Sequence, residues 1–501
     1  MRLWRLLARV YFLLVFLPPL GALFLAFGKT LSLTFLKDAI YLRALSNTFI
    51  LALGATGLSV LLSLPLATLL AKSRFPLARL WAVLLAVPLL FLPYQTALAW
   101  SFILPAPVLK LLFSPWGVVF IFTISFFPLV FWPLYLSFLS IPREAEESGL
   151  LLASPLKVFT RVTLPYAKPY LLGGAGLCFI FSFTEIGAPT YLGVPVIGSE
   201  ILTRFAAFYD LQGALNASLP LAITGLLFFL LERPFVKRWE IAPRWRDPRG
   251  LLFESRPFFL LGGLFLGVTL LVAVFLPLSV LAFKAFSGDF WSVLTRAKSP
   301  LLRTFLYTGG AAILAGGVAL VSQPLLKERE KDLWDTLALL AFFLPSVVLA
   351  VGLIYFWGRF PLVYSSWVLL LLGLLCHFGF LTQRLLREAW RRFDKGGLEA
   401  AYLAGRGFNA IFRRIILPPL SPWFGYALAI FFIFAANEMT LSSLLYPPGG
   451  ATLAVTIYTL SVNNPLSVSA GLCLLNTLFI LVVVSLLLCL LRPGADGSRS
   501  A

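Results

Sequence analysis

An all-α membrane protein of about twelve transmembrane helices, built as two parallel six-helix repeats, is the fold class this sequence predicts. Three observations carry that expectation. Hydrophobic residues supply 60% of the 501-residue chain and charged residues only 12%, too little polar surface for a soluble chain of this length. Apolar runs of about 20 residues recur along it, each long enough to cross a bilayer core. A polar, basic segment, Glu399–Pro418 (EAAYLAGRGFNAIFRRIILP), interrupts this pattern, and a weaker copy, Glu146–Pro165 (EESGLLLASPLKVFTRVTLP), precedes it by 253 residues (418 − 165 = 253), close to half the chain.

The spans follow in order. The N-terminal run at 9–27 has a basic start but is long and ends in no A-x-A site, so it reads as an uncleaved first helix rather than a signal peptide. The first half then gives runs at about 46–71, 80–104, 116–140, 167–192 and 212–232. The second gives 258–283, 303–326, 334–357, 363–386, 419–445 and 468–491. The expected division is a first membrane half at 1–232, a linker at 233–257 and a second half at 258–501. Shorter matches support the duplication. Asn47-Thr48-Phe49 pairs with Arg303-Thr304-Phe305, and Leu89-Leu90-Phe91-Leu92-Pro93 with Ala341-Phe342-Phe343-Leu344-Pro345. Six spans per half is an even number, so both halves keep one orientation. That arrangement predicts a pseudo-twofold axis along the membrane normal.

The net charge of +19 is spread along the chain, which disfavours nucleic acid as a partner and fits basic loops facing anionic lipid. Lys72, Arg74 and Arg79 follow the second span. Arg143, Lys157, Arg161 and Lys168 surround the fourth-to-fifth connection. Arg384, Arg387, Arg391, Arg392, Lys395, Arg406, Arg413 and Arg414 surround the last long loop, and the linker is rich in arginine. Residues 446–466 hold no Lys or Arg. Both termini and both copies of the polar segment are therefore expected on the cytoplasmic side. A few basic residues in 28–45 and 284–302 weaken the count without reversing it. The four cysteines lie in apolar runs without metal-like spacing and suggest no disulfide framework.

Within Glu399–Pro418, Glu399 suits the start of a short helix, where a carboxylate meets the positive end of the macrodipole. Gly405 permits a sharp turn. Phe408, Ile411, Phe412 and Ile415 then recur at helical spacing until Pro418. Two short helices with a bend, apolar on one face and basic on the other, suit insertion into a partner's groove. An interfacial helix lying on the bilayer is the alternative, and the second copy favours a two-fold symmetric partner.

Glu399-Ala400-Ala401, Gly405, Ile415, Leu417 and Pro418 resemble, almost position for position, the EAA motif of ATP-binding-cassette importer permeases. The resemblance implies a coupling helix that docks on an ATPase subunit, using also Arg406, Phe412 and Arg413. It carries over to Glu146, Glu147, Ser154, Phe159, Val162, Leu164 and Pro165 in the first copy. That copy departs from the pattern: Glu147-Ser148 replaces Ala-Ala, Leu152 stands where the glycine belongs, and Gly149 comes three residues early. The resemblance covers the whole chain, as in fused two-half permeases. Segments 185–211 and 438–460 look most like the iron(III) branch, with thiamine, polyamine and aminoethylphosphonate permeases as near relatives.

Glu185 and Glu438 interrupt apolar runs at the same 253-residue offset. An ionised carboxylate at the bilayer centre costs about 2.5–3.5 kcal/mol on the insertion scale, so such residues usually face an interior or a cavity. A symmetric acidic pair suits the path of a cation, and Fe(III) prefers oxygen ligands. The alternative is that each carboxylate hydrogen-bonds a neighbouring helix and never meets substrate. His377, alone in an apolar span, is expected to make a helix–helix hydrogen bond. Gly28-Lys29-Thr30 is no phosphate loop, because Leu23 occupies the position of its leading glycine. Pro447-Pro448-Gly449-Gly450 reads as a turn. No residue set points to an enzyme, a metal site or a bound cofactor, so ATP is expected on a partner. The expected assembly is a permease of the bacterial cytoplasmic membrane, with two copies of an ATP-binding-cassette ATPase below and an external solute-binding protein above. The best-fitting cargo is ferric iron. A proton-coupled secondary transporter is the rival, but it leaves the paired loops unexplained.

Overall fold

The computed structural model describes residues 2–30, 37–236, 253, 255–288, 290–394, 396–463 and 465–491. The protein is an all-α membrane protein. Every regular element among these residues is helical, because in hydrocarbon each backbone N–H and C=O must pair within its own segment. The first half of the sequence gives α1 (Arg2–Thr30), α2 (Ala39–Lys72), α3 (Ala78–Leu84), α4 (Pro93–Ile103), α5 (Ala106–Leu112), α6 (Pro115–Ser140), α7 (Arg143–Leu152), α8 (Pro155–Val158), α9 (Leu164–Thr184), α10 (Gly187–Tyr191), α11 (Ile197–Ala206) and α12 (Leu211–Val236). The second gives α13 (Arg256–Leu270), α14 (Leu276–Phe286), α15 (Phe290–Leu325), α16 (Glu328–Phe343), α17 (Ser346–Trp357), α18 (Pro361–Tyr364), α19 (Trp367–Arg392), α20 (Gly396–Leu403), α21 (Phe408–Ile411), α22 (Leu417–Ala436), α23 (Thr440–Leu445), α24 (Leu453–Asn463) and α25 (Leu466–Leu490). Most of the 233–257 linker lies outside the described residues.

Among the described residues nine helices are long and apolar enough to cross a membrane, or eleven when each of two bent pairs counts as one span. The third and ninth expected spans are those bent pairs, turning by 96° before α4 and by 110° before α17. The matched Leu-Pro pairs mark both breaks. Leu92 and Leu344 sit at ψ 137° and 132°, because a following proline pushes its neighbour out of the helical region. The fifth and eleventh expected spans are shorter than the hydropathy suggested. The α9 helix ends at Thr184 and α22 at Ala436, directly before the segments holding Glu185 and Glu438.

The chain divides into two compact units that cut across the sequence halves. One comprises Met1–Leu31, Thr295–Thr456 and Leu475–Ala501; the other comprises Ser32–Leu294 and Ile457–Leu474. Helix α1 therefore packs with second-half helices. Phe12 stacks on Trp334 of α16 at 5.0 Å, and Arg9 pairs with Glu330 at 2.6 Å. Helices α13 and α14 belong to the other unit, where Gly262 lets α13 approach Leu69 of α2. Rows of exposed side chains, such as Ile50, Leu53, Leu58 and Leu61 on α2 and Leu260, Leu261 and Leu264 on α13, are apolar surface suited to lipid.

A local arrangement recurs in both units. The Thr48 hydroxyl accepts from the Ile197 N–H at 3.0 Å, and the Thr304 hydroxyl accepts from the Leu453 N–H at 2.8 Å, each across 149 residues. Both threonines belong to the matched tripeptides.

Candidate functional site

The two polar segments fold alike. In each, a short helix (α7 or α20) is followed by a turn, a four-residue helix (α8 or α21) and a five-residue π-helical turn at Phe159–Thr163 or Phe412–Ile416. A long helix (α9 or α22) then continues from Leu-Pro. A third π turn, Leu271–Phe275, also runs directly into Leu-Pro. Proline supplies no N–H and its ring crowds the carbonyl four residues back, and a widened turn just before it relieves both. Pro65 sits inside α2 without such a turn, so Leu-Pro alone does not dictate one.

The turns differ. After α20, Gly405 adopts φ +70°, and the Arg406 N–H reaches back to the Ala401 carbonyl at 3.2 Å. This is a Schellman-type helix end, with glycine in the left-handed position that other residues avoid. After α7, Ala153 is extended (φ −150°, ψ 160°) and no residue takes a positive φ. Gly149 does not replace Gly405 as a turn former. A Cβ there would lie 3.2 Å from Val158, so its smallness lets α7 close onto α8.

The inner faces differ in chemistry. In the second loop Leu398, Ala401, Ile411 and Ile416 are buried against Leu386, Ala389 and Trp390 of α19, with Phe412, Ile415 and Leu417 packed at the margin. In the first loop the anchor is ionic. Glu146 is fully buried and its carboxylate meets the Lys72 ammonium, 2% exposed at the end of α2, at 2.7 Å. The Thr163 hydroxyl donates to the other carboxylate oxygen at 2.7 Å. Removing one partner of such a buried pair costs about 3–5 kcal/mol. Val158 and Phe159 complete this face, and Phe159 also packs against Phe253, whose N–H donates to the Lys72 carbonyl. Sequence reading placed Glu146 among docking residues without finding Lys72 as its partner. The structure turns the Glu146 side chain inward, onto Lys72 and Thr163. The signal was present in a basic residue ending a span, but nothing local joins positions 74 apart.

The outer faces are open. Leu151 and Leu152 are 88% and 90% exposed and Leu403 is 90% exposed. Glu399, Ala400, Gly405, Arg406, Arg413 and Pro418 are exposed in the second loop, as are Glu147, Ser154 and Pro165 in the first. Glu147 pairs with Arg143 one helical turn away. Val162 and Leu164 are half-buried. The loop tips thus present nearly bare leucines together with exposed charged side chains.

A second set of charges stands beside the apolar anchor of the second loop. Arg387 on α19, 5% exposed, pairs with Glu328, Asp332 and Asp335, three acids one turn apart on α16. Lys331 joins through Glu328 at 2.7 Å. The last turns of α19 thus hold the loop on an apolar face and α16 on a polar one.

Glu185 and Glu438 stand at helix starts within their own units. Glu185 accepts from the Gly187 N–H at 2.9 Å and the Ala188 N–H at 3.4 Å, at the beginning of α10. Glu438 accepts from the Leu441 N–H at 2.8 Å at the beginning of α23, and the Ser346 hydroxyl at the bend before α17 also bonds to it. Each carboxylate satisfies helix N–H groups that would otherwise lack partners. His377 is buried against Phe342 and hydrogen-bonds the backbone of Ala341 on α16, the expected helix–helix contact. Pro447–Gly450 forms the expected turn, with Gly449 at φ +70° and the Gly450 N–H on the Pro447 carbonyl at 2.8 Å.

The chain is 23% identical over 450 residues to an Fe(3+)-transport system permease protein of Haemophilus influenzae, covering 86% of each chain. It is 28% identical over 174 residues to a 2-aminoethylphosphonate transport system permease protein of Salmonella choleraesuis, covering 30% of this chain and 59% of that one. The Salmonella paratyphi A counterpart is 29% identical over 170 residues, with the same coverage. No family model matches the chain, and no solved structure matches it. The relatives are transport permeases, not enzymes, and the chain is similar to Fe(3+)- and 2-aminoethylphosphonate-transport system permease proteins.

Proposed function

We propose that this chain is the membrane-spanning permease subunit of an ATP-binding-cassette importer of the bacterial cytoplasmic membrane. Its cargo is ferric iron, delivered by an external solute-binding protein. Two copies of a separate ATPase dock on the loops at Glu146–Pro165 and Glu399–Pro418 from the cytoplasm. Their closure moves the membrane helices, built as two six-span repeats related by a pseudo-twofold along the membrane normal, and alternates access to a path across the bilayer. Both termini face the cytoplasm. The observation that carries this reading is the repeated loop, with inner face anchored and outer leucines bare, in a chain similar along most of its length to an Fe(3+)-transport permease.

Tagged protein purified from its native membrane should bring down an ATPase subunit, and vesicles should take up radioactive ferric iron only with ATP and the binding protein. Uptake that ignores ATP and follows a proton gradient overturns the reading in favour of a secondary transporter. The phosphonate permeases among the relatives support a second cargo; a binding protein that holds an aminophosphonate instead of iron selects it.

Glu185 and Glu438 serve the cation path in this reading while they cap α10 and α23. Glutamine keeps the capping oxygen and removes the charge. Glu185→Gln with Glu438→Gln should assemble normally and transport less; unchanged uptake excludes both carboxylates from the path.

A further inference from the structure

The loop Arg143–Leu152 turns only one charged side chain inward. Glu144 and Glu147 are exposed, as are Ser148, Leu151 and Leu152, whereas Glu146 is fully buried. Its two carboxylate oxygens are divided between two elements. One takes the Lys72 ammonium from the last residue of α2; the other takes the Thr163 hydroxyl from the π turn that leads into α9. Three segments therefore meet at one carboxylate, each contact 2.7 Å long and shielded from water, where charge interactions are screened least.

Among the described residues the other loop has no such arrangement. Glu399, at the position of Glu146, is exposed, and Ile416, at the position of Thr163, is a fully buried hydrocarbon. Its hold on α19 is apolar packing, which is non-directional and tolerates small shifts. An ion pair with an added hydroxyl donor fixes distance and direction together.

We propose that Lys72, Glu146 and Thr163 form a positioning clamp that makes the first loop move as one body with α2 and the head of α9. The second loop is seated on α19 by hydrophobic contact instead. The inference rests on the proposed function for what pushes the loop, but not for the clamp itself. It assigns the two acidic residues opposite tasks: Glu146 holds the loop from within, and Glu399 is free to meet the ATPase.

Hydrogen–deuterium exchange on the full chain in lipid nanodiscs tests the clamp without reference to cargo. Lys72→Met and Glu146→Gln should each speed exchange of the amides at 143–152 by about tenfold or more, with α12 and α20 unchanged. The swap Lys72→Glu with Glu146→Lys should bring the rate back to within about threefold of the original, and Thr163→Val should act in the same direction as the single changes but less. Unaltered exchange at 143–152 in the single variants overturns the clamp. So does equal loss of protection in α12, which marks a general loss of stability, or a swap no better than its single changes. In the reconstituted assembly the single variants should also lower iron carried per ATP hydrolysed, whereas Glu399→Gln should weaken ATPase binding. A wild-type chain that binds no ATPase sinks the proposed function and leaves the exchange result to decide the clamp alone.

Discussion

Gly405 and Leu152 occupy corresponding places in the two loops and make opposite demands on the backbone. Gly405 sits at φ +70°, and a Cβ added there would meet nothing within 4 Å. Substitution therefore costs only the left-handed conformation, about 1–2 kcal/mol for an L-residue. Leu152 is the last residue of a regular helix and 90% exposed, so its backbone tolerates most side chains. Gly405→Leu should impair ATP-coupled uptake about tenfold, by loosening the helix end that places Leu403 and Arg406, and Leu152→Ala should impair it less. Equal losses at the two sites in the same uptake assay would show that the turn geometry does not matter. The glycine was readable because its position and spacing agree with a known helix ending. Glu146 was not, since an acidic residue on a short helix looks the same whether it faces water or a buried lysine.

Among the elements, the paired Leu-Pro signals were legible as a repeat but not as bends. Pro93 and Pro345 stand at turns of 96° and 110°, yet Pro128 and Pro133 lie inside the unbroken α6. Proline biases a helix toward breaking, and packing decides whether it breaks. At the second bend the freed groups find partners nearby: the Ser346 hydroxyl reaches Glu438, which in turn caps α23. The apparent fifth and eleventh spans were overlong for the same reason. Hydropathy averages across a capping carboxylate, whereas the backbone stops there to let the carboxylate accept from the next helix. The Arg387 network was equally hidden. Glu328, Asp332 and Asp335 share one face of α16 by their spacing, but their common partner lies 52 residues from Asp335.

Over the whole chain, the division into units departs from the order of the sequence. Helix α1 joins the second-half helices through contacts that include a close approach to α17. A Cβ at Gly352 would fall 3.0 Å from the Pro19 carbonyl oxygen and 2.9 Å from Leu23. Gly352→Val should therefore force α1 away, cost about 1–3 kcal/mol by overpacking, and lower the midpoint of thermal unfolding in detergent. Gly267→Val, which would meet nothing within 4 Å, should leave that midpoint unchanged. Identical midpoints for both variants would show that α1 is not held at this point. The sequence by itself determined the all-α membrane class, the two loops and their 253-residue repeat, because hydropathy, proline and glycine act over a few residues and leave their mark locally. Only the tertiary structure decided which unit recruits α1, where the spans bend, and that one loop is held by Lys72 and Glu146 while its twin is held by hydrocarbon. Those outcomes depend on which distant side chains share a buried space, and burial is set by the packing of whole helices.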